Sequence, residues 1–133
     1  MQVPSLTIAE VVKDVSEKMS DPNYTSVLVG GFVQEQPPAA QYISAHAEEL
    51  GGPEGVVHAI FHASVMGVCF QRAQNRSLPQ LSFEELDRAA VEDREALLKQ
   101  RQPAVLEYVE TNVDSAAMRR VLMLVGLAME AAS

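Results

Sequence analysis

Tyr24-Thr25-Ser26-Val27-Leu28-Val29-Gly30-Gly31-Phe32-Val33 is the stretch on which the fold turns. Over so short a run, rich in β-branched side chains, periodicity cannot separate helix from strand. A strand here would need a partner for its backbone N–H and C=O groups, and the chain offers none elsewhere. The segment therefore reads as helix, with a strand at 25–33 as the competing reading. Gly30 and Gly31 each cost a helix about 1 kcal/mol relative to Ala. Close approach of a neighbouring helix is the expected reason for keeping them.

Upstream, Thr7 and Glu10 match a Thr-x-x-Glu capping box before an amphipathic series, Ile8, Val11, Val12, Val15 and Met19, which predicts a first helix ending near Ser20. Asp21 and Pro22 then form a start signal for the Tyr24 element. Downstream, Pro37 and Pro38 close that element and open the next. Ala40, Ile43, Ala47 and Leu50 keep helical spacing to Leu50, and Gly51 stands where a left-handed cap is expected. Pro53 opens a fourth helix that is apolar nearly all round, from Val56 to Phe70, and so belongs in the core.

A polar loop at about 71–81 divides an N-terminal four-helix part from a C-terminal part. Ser82 and Glu85 make a second capping box, with a helix expected to run to about Lys99 and i, i+4 pairs at Glu84–Arg88 and Glu95–Lys99. Pro103 interrupts it, Ala104–Val113 continues as a shorter segment, and Asp114 caps a last helix that is apolar on every side. The sum is an all-α fold: a compact bundle of five or six helices in a single domain, residues 1–133, without internal repeats.

With 133 residues the chain buries roughly two thirds of the surface its unfolded form exposes. Ten Lys and Arg against 18 Asp and Glu leave a net charge of −8, which repels nucleic acid unless basic residues cluster. Only Lys99, Arg101, Arg119 and Arg120 gather at all, and pairing with Glu107 or Glu110 accounts for them. The single cysteine, Cys69, cannot form an internal disulfide, so a reducing, cytoplasmic setting is expected. No signal peptide is read at the N-terminus. The longest apolar run, Val121–Met129, would give about 13 Å of helix against a hydrocarbon core of about 30 Å, so no membrane span is expected.

The most pointed chemical pattern is His58-Ala59-Ile60-Phe61-His62, two imidazoles one helical turn apart and able in principle to share a metal ion, with His46 as a third ligand. The zinc-peptidase glutamate is missing, because positions 59–61 are Ala, Ile and Phe. Adjacent carboxylates at Glu48–Glu49, Glu84–Glu85 and Glu92–Asp93 diverge by about 100° on a helix and cannot converge on one substrate atom. No serine has a nucleophile setting, and no glycine pair has the spacing of a phosphate loop. Neither an enzyme nor a cofactor is expected.

What remains is a surplus of apolar helix in the fourth helix, the last helix and the Tyr24–Phe32 segment. The expectation is a non-enzymatic interaction or adaptor module. It would self-associate or dock a partner protein through Met118, Val121, Leu122, Leu124, Val125 and Met129, with Gly126 allowing close approach. The alternative is a bundle that binds a metal or a small hydrophobic ligand using His58 and His62. The competing arrangement for the apolar surplus is a dense single-copy core built on one central and one buried helix.

Overall fold

The computed structural model of the protein describes residues 2–133 and is all-helical, with no strand among the described residues. Its eight helices are α1 (Ser5–Lys18), α2 (Tyr24–Glu35), α3 (Pro37–Ser44), α4 (Pro53–Gln74), α5 (Phe83–Ala89), α6 (Arg94–Arg101), α7 (Pro103–Asn112) and α8 (Ala116–Ala132). Two long helices, α4 and α8, pack against each other at the centre. On one side α1, α2 and α3 cover α4; on the other α5, α6 and α7 cover α8. Contacts between α1 and α7 and between α3 and α5 close the shell, and all eight elements feed one continuous core.

The deciding stretch is helix: α2 runs through Gly30 and Gly31 to Glu35. Prolines start α3, α4 and α7, where a missing N–H and a fixed φ suit the first turn. Ser82 and Glu85 form the expected reciprocal capping box on α5. The count of eight exceeds five or six because the predicted 82–99 helix is two helices, α5 and α6. Asp93 accepts the Ala96 N–H at 3.0 Å, so its side chain caps a new helix where the periodicity favoured continuing the old one. The Pro103 segment likewise stands as a helix of its own.

Other boundaries move as well. The chain enters α1 through the extended Pro4, which places Thr7 and Glu10 inside the helix instead of at its cap. Met19 falls outside α1 at its C-terminal cap and is exposed. Asp21 serves the turn before α2, accepting the Asn23 N–H at 2.9 Å. Helix α3 stops at Ser44, and residues 45–50 form turns that end at Gly51 and Gly52, both with positive φ. Helix α4 continues to Gln74 and is capped by a left-handed Asn75, so the predicted loop at 71–81 begins only after that cap. Ser115, not Asp114, caps α8 by accepting the Met118 N–H.

Two buried glutamines tie irregular segments to this framework. Gln36 donates from Nε2 to the Pro79 carbonyl at 3.0 Å and accepts the Leu81 N–H at 2.7 Å, fastening the loop before α5 to the α2–α3 junction. Gln102 accepts the Val3 N–H at 2.9 Å and so holds the N-terminal segment beside the start of α7. Each amide satisfies a backbone group that burial would otherwise leave without a partner. Among the described residues α4 is the one helix long and apolar enough to cross a membrane by length and composition. It is longer than the Val121–Met129 run, and more than half of its apolar window is buried within the bundle.

Candidate functional site

The residues expected to form an interface are interior. Met118, Val121, Leu122, Leu124, Val125 and Met129 are all buried, because α8 is enclosed by α4, α5, α6 and α7 of its own chain. Gly126 does permit a close approach, but the neighbours that use it are Met66, Val105 and Leu98. The expectation that α8 presents a contact face is therefore corrected: three short helices, α5 to α7, cover it, where a smaller bundle would have left it partly wet.

The histidines separate. His58 is exposed near the start of α4. His62, one turn on, is half-buried and shares a 2.9 Å hydrogen bond between its Nδ1 and the Tyr108 hydroxyl of α7. Burial lowers the His62 pKa below the usual histidine value, and the nearby His58 lowers it further. His46 lies in the turn after α3, where its Nδ1 meets the Tyr42 carbonyl at 2.9 Å and its ring packs 4.6 Å from the Tyr42 ring. Among the described residues no three His, Cys, Asp or Glu side chains converge on a point that could hold a metal ion. Burial pushes the Cys69 thiol up to about 12, so it carries little thiolate at neutral pH.

Of the basic residues near the C-terminus, Arg119 and Arg101 bond within the chain, but no ion pair with Glu107 or Glu110 forms among the described residues. Arg119 donates to the backbone carbonyls of Glu110 and Val113 at the end of α7, where a cation meets the negative end of the helix dipole. Arg94 donates to the Arg120 carbonyl, and Arg101 pairs with Glu130 at 3.5 Å. The Glu84–Arg88 pair forms as predicted on a fully wet face, where it contributes a few tenths of a kcal/mol.

Exposed large apolar side chains occur singly on α1 (Leu6), α4 (Val57) and α5 (Phe83), and as a group only at α2. Of its 12 residues only Phe32 is fully buried. Val27 is 70% exposed, Val33 43%, and Met19 beside them 48%. The Thr25 hydroxyl bonds the Met19 sulfur at 3.4 Å, which holds that side chain next to the helix. Between them Gly30 and Gly31 face open space, with nothing within 4 Å of where a Cβ would stand. A hollow of about 210 Å³ opens beside Val27 between α2 and α4, lined by Leu28, Phe32 and Val68 and, at the C-terminal end of α2, by Glu35. No charged residue occurs from Pro22 to Gln34, in a chain whose net charge is −8. The close approach expected at the two glycines is not made by any helix of this chain.

Tyr24–Phe32 belongs to the apolar surplus visible in the sequence, yet the bulk of α8 points to the last helix as the contact. The signal that could have separated them is length and bulk: α2 is short with two adjacent glycines, whereas α8 is longer and sets Met, Leu and Val on both sides of a single Gly126. Comparison with protein-family models, with curated proteins and with solved structures finds no match to this chain.

Proposed function

We propose that the protein is a non-enzymatic interaction module that self-associates through the outer face of α2. The observation that carries this reading is the exposure of Val27 and Val33 on either side of two glycines that no part of the chain approaches. An apolar helix face in water is unfavourable by about 25 cal/mol per Å² of apolar area, so covering it supplies a driving force for association. The glycines let a second backbone come close, at a helix-propensity cost of about 1 kcal/mol each that the isolated fold does not recover.

The occupant that fits is a second copy of the same chain. A two-fold contact sets the same patch on both partners, with charge only at its edges (Lys18 by Tyr24, Glu35 by the hollow), so two molecules with eight negative charges each can meet where few of them lie. Val27 of one copy then lies over the Gly30–Gly31 gap or the α2–α4 hollow of the other. Sedimentation velocity over a wide concentration range tests the reading, with Val27→Glu and Val33→Glu beside the wild type. A wild-type dimer that both substitutions convert to a folded monomer supports it. A wild type that stays monomeric at every concentration, or a dimer indifferent to both charges, overturns it.

A further inference from the structure

A second surface, sharing no residue with the α2 face, has the form of a ligand site. The Val3–Gln102 hydrogen bond sets the beginnings of α1 and α7 side by side, and the two helices then run in the same direction with a groove of about 380 Å³ between them. Nine residues of each wall give it a length of about 12 Å. Its floor is Ile8, Val12, Ala104 and the ring of Tyr108, of which all but Val12 are buried. The hydroxyl of Tyr108 is engaged by His62 from behind, so the floor presents ring and aliphatic carbon. Lys13 stands on the α1 wall and Glu107 on the α7 wall. One cation and one anion, at different levels along the groove, leave its mouth without net charge.

We propose that this groove binds an uncharged, mainly apolar small molecule, seated on Tyr108 between α1 and α7. The volume lies at the lower end of the range for small-molecule sites, and a rim without net charge offers nothing to offset the cost of desolvating a carboxylate or an ammonium group over the apolar floor. Binding draws on covering the apolar floor, which places a fragment of about ten non-hydrogen atoms at a Kd on the order of 1 mM.

Indole is a suitable probe because the chain contains no tryptophan, so with excitation to the red of the absorption of its three tyrosines the ligand's own fluorescence is read. Titration of the protein into indole is expected to give a saturable blue shift, with indole-3-acetate and tryptamine each binding more weakly. Ala9→Phe, at an exposed position on the groove wall, places a ring in the cleft and is expected to weaken indole by about tenfold or more. Tyr108→Phe keeps the ring on the floor and is expected to keep the binding. Absence of a saturable shift overturns the proposal, as does an equal affinity in Ala9→Phe or a charged analogue that binds more tightly than indole. Circular dichroism of Ala9→Phe confirms that the fold survives, and Ala9→Leu serves in its place if it does not.

Discussion

Gly55 has no room for a side chain: a Cβ built there falls on the Leu50 carbonyl, in the turn that feeds α4. Ala at this position must push the Gly51–Gly52 turn away from the first turn of the core helix. Gly55→Ala is expected to destabilise the protein by about 1–3 kcal/mol, read as a lower urea midpoint at unchanged slope. Nothing in the sequence around position 55 marks this. The glycines that drew attention, Gly30 and Gly31, sit in open space, while the one pressed against backbone looked like an ordinary residue after a helix-starting proline. The histidines divide in the same manner. Their i, i+4 spacing is legible, but which partner each one meets depends on α7 arriving beside α4. With the His62 pKa lowered by burial, its neutral form is the one the fold favours. Its contribution is complete above the unfolded value near 6.5 and is lost as pH falls through the lowered folded value. Thermal melts between about pH 8 and about pH 5 should therefore show a smaller acid-induced loss for His62→Gln than for the wild type. An equal loss in both would mean that His62 titrates as it does in the unfolded chain.

At the scale of the element, local chemistry decides where helices start more firmly than hydrophobic spacing does. The Ser82–Glu85 box and the prolines at 37, 53 and 103 were readable because each satisfies or removes an orphan N–H without help from the rest of the chain. Thr7–Glu10 has the same pattern, yet Pro4 starts the helix earlier and leaves the box inside it. Asp93 shows the reverse failure: its capping bond splits a stretch whose apolar stripe looked continuous. Helix α2 carries the consequence for function. Because a Cβ at Gly30 meets nothing in the single copy, Gly30→Ala should stabilise the isolated fold by roughly 0.5–1 kcal/mol, a rise in melting temperature of about 2–5 °C in dilute solution. The same methyl group stands where a second helix would approach, so dimerisation should weaken. Opposite signs in the two measurements separate a docking face from a helix that merely tolerates glycine; weakening of neither, or strengthening of both, speaks for the latter.

For the whole molecule, the all-α architecture and the excess of apolar helix were both legible in composition and periodicity, but the location of the excess was not. Three segments compete for the interior, and which of them stays wet is settled by how the short helices α5, α6 and α7 wrap α8. That is a property of the assembled shell, and the segments carry only one mark of it, the adjacent glycines and short length of α2. Leu124 illustrates the difference, since it is buried among α8's neighbours. Leu124→Glu should cost more than about 3 kcal/mol through an unpaired buried charge and abolish cooperative unfolding even in dilute monomer. Were α8 a contact face, the substitution would change the mass of the assembly and leave the monomer's stability nearly intact. Methyl NMR on the wild-type protein over a dilution series compares the two faces within one sample. Val27 and Val33 methyl resonances should move together as the dimer dissociates while those of Val121 and Val125 stay fixed; movement confined to Val121 and Val125 would contradict the assignment of the exposed apolar surface to α2.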